Sequence, residues 1–245
     1  MERKKDNSAI KELIVPVTAV FIGLVLGGIL MTLTGVNAIE GYKALIMGCF
    51  GRLEYVSETI VYTTPLIFTG LAIALGFRCG LFNIGCEGQY IVGLIGAAVV
   101  GAMDLGLPTF IHLPLTMLSG MACGAIWASV PGLLKAKFGI HEVVNSIMMN
   151  YIALYLSHFL VNGPIKDPGI TSPYSREILD TAKLWRFFGQ DSPVRVNSGI
   201  IIAVAAALLV YYLLFKTTIG YQIRAVGFNP EAARYGGISV PTNVV

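Results

Sequence analysis

The chain has 245 residues, of which 55% are hydrophobic and 13% are charged, and its mean hydropathy is +0.73. A soluble domain typically has about a quarter of its residues charged, so this composition excludes an ordinary water-soluble globular domain. The net charge of +3 is too small to indicate a nucleic-acid-binding protein.

Apolar residues gather into six blocks, each close to the length that a helix needs to cross a hydrocarbon core of about 30 Å. The predicted spans are about 13–34, 57–76, 84–103, 110–134, 143–161 and 198–215. The first block is too long for the apolar core of a signal peptide, so we expect a retained span. The sequence therefore predicts an all-α fold: a polytopic membrane helix bundle of six transmembrane spans, forming a single domain over residues 1–245.

Basic residues fall mostly on one side of the membrane if the six predicted spans alternate in direction. Loops on the cytoplasmic side of a membrane carry an excess of Lys and Arg. The basic residues on this side are Arg3, Lys4, Lys5, Lys11, Arg78, Lys135, Lys137, Lys216, Arg224 and Arg234. On the other side, the loop 162–197 has five basic residues that four acids nearly balance. We therefore expect a multi-pass protein of the cell membrane with a cytoplasmic N-terminus.

The four cysteines do not indicate a metal site or a redox motif. They lie in or beside apolar blocks and form no CxxC pair, and no histidine flanks them. We interpret them as small hydrophobic residues of the bundle interior and expect no metal. These residues are Cys49, Cys79, Cys86 and Cys123.

Polar residues interrupt the apolar sequence at FRCGLFNIGCEGQ, residues 77–89. Its glycines permit a tight turn, after which Asn83 fits an N-cap position and Glu87 and Gln89 enter the next helix. Polar groups within membrane spans usually face the bundle interior or a wet cavity. Asn83, Glu87 and Gln89 are therefore candidate residues of a substrate pathway. The alternative is that Glu87 is a simple first-turn acid paired with Arg78.

A second polar stretch is GIHEVVNSIMMNYIALYLSHFL, residues 139–160. At about 100° per residue, its small and polar residues share one face of a helix. That face comprises Glu142, Asn145, Ser146, Met149, Asn150, Ala153 and Ser157. Such a face either lines an aqueous path or joins helices through hydrogen bonds, and both interpretations stay open. Asn145, Ser146 and Asn150 are the further candidates for the substrate pathway.

Residues 216–240 follow the last predicted span and are too polar for another one. The pattern predicts two short helices with a break between them. Asn229, followed by Pro and Glu, is typical of a helix N-cap at that break. One interpretation is an amphipathic helix at the cytoplasmic membrane surface, with Arg224 and Arg234 near lipid headgroups. The other is a docking element for a cytoplasmic partner.

Three motifs, in order along the chain, resemble permease subunits of ABC importers. GFRCGLFNIGCEGQ resembles the F-R-x-G-L-F-N-I-G-x-E-G-Q segment of nucleoside-type permeases. HEVVNSIMMNYIA resembles their N/H-E-V-x-x-x-I-M-x-N-Y-I-A segment, and EAARYGG, residues 231–237, resembles the EAA-x3-G signature. The chain thus resembles the sugar/nucleoside and branched-chain amino acid permease family, and within it the nucleoside type.

The resemblance implies that residues 216–240 are a cytoplasmic coupling loop whose helix sits in a cleft of an ATP-binding subunit. The coupling residues it implies are Arg224, Glu231, Ala232, Ala233 and Gly237. The sequence has no G-x-x-x-x-G-K-[ST] motif, so we expect no cofactor in this chain and ATP hydrolysis on a partner subunit. The implied partners are ABC ATPase subunits, a second permease subunit, an extracytoplasmic solute-binding protein and the lipid bilayer, with no nucleic acid.

The implied function is ATP-driven import of nucleosides, and uncharged Asn, Gln and Ser side chains suit such a solute. Alternatives within transport are a simple sugar such as ribose or a branched-chain amino acid. A passive channel is disfavoured because nothing resembles a filter loop. Family members continue with further spans after the coupling loop, so the resemblance implies a C-terminally truncated chain.

An intramembrane enzyme is the alternative of another class, and it requires a nucleophile and a base on facing helices. Ser146 and His158 are the only suggestive pair, but they lie more than three turns apart on one predicted helix. We therefore expect no catalytic residues.

Overall fold

The structure is a computed structural model that describes residues 3–189 and 192–244. The regular elements in these ranges are α-helices and one short 3-10 turn, Asp180–Ala182, without a named strand. The helices are α1 (Arg3–Leu33), α2 (Ala38–Phe50), α3 (Leu53–Arg78), α4 (Cys86–Gly101), α5 (Thr109–Phe138), α6 (Glu142–Asn162), α7 (Gly199–Lys216), α8 (Thr218–Phe228), α9 (Pro230–Tyr235) and α10 (Val240–Val244). The all-α prediction is confirmed for the described part.

Two sets of sequence-based expectations fall outside the described part. One set is the basic side chains near the N-terminus: Arg3, Lys4, Lys5 and Lys11. The other set is residues 190 and 191 of the predicted loop 162–197.

Five of the described helices are long and apolar enough to cross a membrane. They are Ile14–Leu33 within α1, and α3, α5, α6 and α7 in full. Each of the five lies over one of the six predicted spans. The remaining predicted span, 84–103, corresponds to α4, which has 16 residues. At 1.5 Å per residue α4 is only about 24 Å long. The structure therefore supports five spans by length, and the sixth span stays a prediction.

Helix α2 lies between the first two predicted spans and was not predicted from the sequence. Asn37 forms its N-cap, because the Asn37 side chain accepts hydrogen bonds from the backbone N–H groups of Ile39 at 3.0 Å and Glu40 at 3.4 Å. The signal was present, since Asn followed three residues later by Glu is a typical helix start. The charges of Glu40 and Lys43 interrupt the apolar run that an uninterrupted span would show.

Contacts divide the chain into two units, residues 1–59 and residues 60–245. In the first unit α2 packs against α1, and the Tyr42 hydroxyl donates a hydrogen bond to the Leu24 carbonyl oxygen. In the second unit α4 packs between α5 and α6. The single permease domain over residues 1–245 stays a prediction.

Glycine allows α4 and α5 to approach closely. A Cβ atom added at Gly93 would lie 3.2 Å from the Gly120 carbonyl oxygen, and one added at Gly96 would lie 2.5 Å from the Cys123 sulfur. Small residues let the backbones of two membrane helices come together in this way. Side chains larger than hydrogen at these positions would force α4 away from α5.

One face of α6 is buried in the second unit, and the opposite face is exposed and apolar. Ser146, Met149 and Ala153 are buried, whereas Ile152 and Phe159 are exposed. This confirms the predicted polar and small-residue face of the helix and shows that it turns toward the bundle. An apolar outer surface is what a helix in contact with lipid requires.

Candidate functional site

The loop 79–85 folds back along α3 before α4 begins. The Cys86 sulfur, at the start of α4, lies 4.0 Å from the carbonyl oxygen of Thr69. Thr69 is nine residues before Arg78, the last residue of α3, which corresponds to about 13 Å of helix. The N-terminus of α4 therefore lies inside the bundle. The non-helical loop 79–85 runs back over this distance.

The first N–H groups of an α-helix have no partner within the helix and need one from elsewhere. The structure places the N-cap of α4 at Gly85, which has no side chain to supply that partner. The sequence-based N-cap at Asn83 was therefore wrong by two residues. The capping groups come from other parts of the bundle instead.

Asn150, on α6, supplies the missing cap of α4. The Gly88 N–H donates to Asn150 Oδ1 at 2.8 Å, and Asn150 Nδ2 donates to the Ile84 carbonyl oxygen at 3.0 Å. One amide thus satisfies a donor of α4 and an acceptor of the loop before it. Asn150 holds the non-helical segment against α6, as a buried polar backbone requires.

Asn83 and Gln89 form a second link between the loop and α4. Asn83 Nδ2 donates to Gln89 Oε1 at 3.3 Å, and Gln89 Nε2 donates to Asn83 Oδ1 at 3.1 Å. The Gly85 N–H also donates to Asn83 Oδ1, at 3.1 Å. The two amides therefore fix the turn that aims the N-terminus of α4.

The remaining candidates on α6 lie beside this turn. Ser146 is buried, and a Cβ atom added at Gly85 would lie 3.4 Å from the Ser146 Cβ atom. The buried Nδ2 of Asn145 has no hydrogen-bond partner among the described residues. An orphaned buried amide is uncommon and calls for a ligand or a water.

Glu87 is exposed and lines a cavity of about 280 Å³ together with Ile147, Asn150, Tyr151 and Leu154. This volume lies near the lower end of small-molecule sites. Among the described ion pairs, none joins Glu87 to Arg78, whose guanidinium instead lies over the ring of Phe215. The cavity combines one carboxylate, one amide and one phenol with apolar walls.

Residues 216–240, the predicted coupling segment, form α8 and α9 with a break at Asn229. The Asn229 side chain accepts hydrogen bonds from the N–H groups of Glu231 at 3.0 Å and Ala232 at 3.1 Å. The predicted pair of helices and the predicted N-cap are both confirmed.

Gly237 ends α9 in a left-handed conformation, with φ of +80°. The Ile238 N–H donates to the Ala233 carbonyl oxygen, and the Gly237 N–H donates to that of Arg234, both at 3.0 Å. This pair of bonds is the Schellman motif that glycine favours.

The coupling segment packs directly on the loop 79–85. Cys79, Val226 and Ala233 form one buried cluster, and a Cβ atom added at Gly80 would lie 3.3 Å from the Gly227 Cα atom. The Cys79 thiol donates to the Asn243 carbonyl oxygen of α10 at 2.7 Å. Burial raises the pKa of the Cys79 thiol, so the thiol stays protonated at neutral pH. The loop that starts α4 is therefore joined to α8, α9 and α10.

The other face of α9 is open. Phe228, just before α9, is 85% exposed and Tyr235 is 98% exposed. Glu231 forms an exposed pair with Arg234 at 3.5 Å. Of the two alanines of the EAA motif, Ala232 is exposed, whereas Ala233 is buried against the cluster with Cys79. Large exposed aromatic side chains on a short helix are typical of an interaction surface.

Residues that were not candidates from the sequence form hydrogen bonds at the C-terminal end of α4. His112 is fully buried on α5, and its Nε2 donates to the Val100 carbonyl oxygen at 3.0 Å. Its Nδ1 lies 2.8 Å from the Thr181 hydroxyl. The Leu179 N–H donates to the Gly101 carbonyl oxygen at 2.9 Å. A lone His within an apolar block was the available signal, but the sequence does not show its partners.

A second cavity of about 530 Å³ lies at this end of α4. Ala102, Asp104 and Arg176 are among the residues that line it. Cavities thus lie near both ends of the short helix.

The described residues contain no group of three or more His, Cys, Asp or Glu side chains that could hold a metal ion.

Comparison with known proteins adds to this geometry. The profile of the family described as branched-chain amino acid transport system / permease component matches residues 55–244. The chain is 40% identical to the guanosine ABC transporter permease protein NupP of Bacillus subtilis (strain 168), over 96% of this chain and 67% of that protein. It is 34% identical to the nucleoside ABC transporter permease protein NupB of Lactococcus lactis subsp. cremoris (strain MG1363), over 98% and 67%.

A third relative is the glucose ABC transporter permease protein TsgB13 of Haloferax volcanii, which is 33% identical over 91% of this chain and 60% of that protein. No solved structure matches the chain. The chain spans about two thirds of the length of the first two relatives. Since the family profile matches more than half of the chain, the chain belongs to the family of permease components of branched-chain amino acid transport systems.

Proposed function

We propose that this chain is a permease subunit of an ATP-driven ABC importer and that the importer moves nucleosides into the cell. Two relatives, at 40% and 34% identity, are named for guanosine and nucleosides. The observation that carries the proposal is the packing of the coupling segment on the loop 79–85. A segment that docks an ATPase needs such a connection to the part of the permease that meets the solute.

The solute pathway is proposed to pass the N-terminus of α4. Asn83, Gln89 and Asn150 are occupied by hydrogen bonds that hold the turn, so their role is to position the pathway wall. The amide nitrogen of Asn145 has no partner among the described residues, and Glu87 lines the cavity beside Tyr151. An amide, a carboxylate and an aromatic ring are groups that hydrogen-bond and stack with an uncharged nucleoside.

The coupling step is proposed to act through α9. Glu231, Ala232 and Tyr235 are exposed and would contact the ATPase subunit, whereas Ala233 would fix α9 to the loop 79–85. When nucleotide closes the ATPase pair, α9 would carry the loop and the N-terminus of α4 with it. Alternation between two such states gives the transport its direction.

The orientation follows from charge. Arg78, Lys135 and Lys216 lie in the last turns of α3, α5 and α7, and cytoplasmic ends of membrane helices carry excess Lys and Arg. The coupling segment would then face the cytoplasm, where the ATPase is. The loop 163–197 would face a solute-binding protein outside, and a second permease subunit would complete the pathway.

Uptake of radiolabelled guanosine by proteoliposomes tests the solute class, using the full-length permease with its partner subunits and binding protein. We expect unlabelled nucleosides to compete with guanosine, and glucose and leucine not to compete. Competition by glucose alone would assign the chain to sugar transport, in line with the relative from Haloferax volcanii.

Replacement of Glu231 by Lys in the full-length protein tests the docking face. We expect loss of copurifying ATPase subunit and of uptake, with membrane insertion unchanged. Glu177→Lys is the matched control, because the Glu177 side chain is 84% exposed and ion-paired, as the Glu231 side chain is at 80%. Equal behaviour of the two variants would contradict the docking role of α9.

A further inference from the structure

Two arginines approach one aromatic ring where three helices meet. The guanidinium carbon of Arg78 lies 5.5 Å from the centroid of the Phe215 ring, and that of Arg224 lies 5.2 Å from it. Arg78 is the last residue of α3, Phe215 is the second-last residue of α7, and Arg224 belongs to α8. We call these three residues the arginine clamp.

The arginine clamp carries two positive charges without a carboxylate partner among the described residues. Glu231, the acid that follows Arg224 in the chain, pairs with Arg234 at 3.5 Å, and Glu142 pairs with Lys135 at 2.7 Å. No described ion pair joins Glu87 to either arginine of the clamp. Arg224 uses its Nε to donate to the Gly220 carbonyl oxygen at 3.3 Å, which leaves its other N–H groups available.

Both guanidinium carbons lie within 5.5 Å of the same ring centroid, so the two like charges are close enough to repel each other. Cation–π attraction to the ring offsets this repulsion only in part. An anion near both groups would reduce the repulsion.

Apolar side chains continue from the arginine clamp along the same helices. Tyr211 and Tyr212 on α7 and Phe77 on α3 are exposed. The Tyr211 ring contacts the Phe215 ring in a tilted arrangement, with 5.2 Å between the centroids. Aromatic residues of this kind concentrate at the level of lipid headgroups. A ligand that fits both parts has an anionic head at the guanidinium groups and apolar tails along α3 and α7.

We propose that the arginine clamp binds the phosphate of an anionic phospholipid. Arg offers several N–H donors in a fixed plane and so matches phosphate oxygens. Basic pockets between membrane helices on the cytoplasmic side bind anionic headgroups in this way. The lipid would anchor the turn between α7 and α8 to the membrane, and it gives Arg224 a membrane partner in place of the ATPase contact expected from the sequence. This inference goes beyond the proposed function, because it involves neither the solute nor the ATPase.

Native mass spectrometry of the full-length permease, delipidated in detergent and titrated with phosphatidylglycerol, tests the proposal. We expect the wild type to retain one tightly bound phosphatidylglycerol that the double variant R78Q/R224Q loses, with an increase of about tenfold or more in the concentration needed for half saturation. Phe215→Leu should weaken retention less, because it keeps both charges. Lys137→Gln is the matched control, since Lys137 is exposed in the last turn of α5, and should bind as the wild type does.

Three outcomes would overturn the proposal. One is equal retention of phosphatidylglycerol by the wild type and R78Q/R224Q. Another is displacement of the lipid by glycerol 3-phosphate at an equal concentration, which would assign the site to a soluble phosphate. Equal loss in R78Q/R224Q and K137Q would likewise contradict a specific site. Melting curves of all variants, measured without lipid, identify any variant that has lost its fold. If R78Q/R224Q has lost its fold, R78K/R224K replaces it. This variant keeps both positive charges and should retain the lipid.

Discussion

The backbone groups at the two ends of α4 find their hydrogen-bond partners in different parts of the second unit. The terminal N–H and C=O groups of a helix have no partner within it, so the partners come from outside α4. At the N-terminal end the partners are side-chain amides, among them Asn150, and the adjoining loop 79–85 packs on the coupling segment. At the C-terminal end the partners are His112 and Leu179, which belong to α5 and to the loop 163–197. Under the proposed function, the N-terminal end of α4 would move with the coupling segment, and the C-terminal end would stay anchored.

The largest effect is expected from Gly227→Ala, which separates the coupling segment from α3. The added Cβ atom would lie 2.1 Å from the Arg78 carbonyl oxygen, and that oxygen is backbone and cannot rotate away. We expect uptake to fall about tenfold or more while the ATPase subunit still copurifies, because overpacking of this kind costs about 1–3 kcal/mol. Gly70→Ala, where nothing lies within 4 Å of the added atom, should transport normally. If G227A transports at the wild-type rate, the proposed connection between the coupling segment and the loop 79–85 is contradicted.

Asn150→Leu should have the next largest effect. It leaves the Gly88 N–H and the Ile84 carbonyl without their partner, and each unsatisfied buried group costs about 1–3 kcal/mol. Thermal unfolding of the full-length protein should shift downward and uptake should fall. Asn162→Leu removes an amide that donates within its own last turn, to the His158 carbonyl oxygen at 2.7 Å. Equal shifts in unfolding temperature for these two variants would contradict the role of Asn150 as the cap of α4.

His112→Phe tests the anchored end. It removes the hydrogen bonds to Val100 and Thr181, so we expect a loss of stability of about 1–3 kcal/mol. The number of solute molecules moved per ATP hydrolysed should stay as in the wild type, because this end has no described contact with the coupling segment. A fall in that ratio would contradict the difference between the two ends. His158→Phe, at an exposed position, should change neither quantity.

Asn145→Leu should affect stability least. Because the buried Nδ2 of Asn145 has no described partner, removing it should leave the unfolding temperature unchanged or raise it slightly. Uptake should still fall if the amide serves the solute. Stability and uptake falling together would instead assign Asn145 to helix packing. Unchanged uptake would remove it from the pathway.

Local features could be predicted from the sequence. The helix starting after Asn229 follows from Asn, Pro and an acid in succession, and the inward face of α6 follows from helical periodicity. Both depend only on residues close together in the chain.

Features that depend on distant partners could not be predicted. Asn83 looked like an N-cap because Asn favours that position. Its amide instead pairs with Gln89, and the cap comes from Asn150, 62 residues away from the Gly88 N–H. The short length of α4 follows from these bonds, since they allow the helix to begin inside the bundle. The burial of Ala233 could not be predicted either, because the EAA motif does not show which face of α9 packs on the loop 79–85.

The most direct test measures two distances in the assembled full-length transporter by double electron–electron resonance. Spin labels at Ser239, between α9 and α10, and at Phe82, both exposed, report the coupling segment and the loop 79–85. A second pair at Ser239 and Trp185 reports the coupling segment and the opposite loop. We expect trapped nucleotide to leave the 82–239 distance unchanged and to shift the 185–239 distance. A shift in the 82–239 distance, with the other distance constant, would contradict the claim that α9 and the start of α4 move as one body.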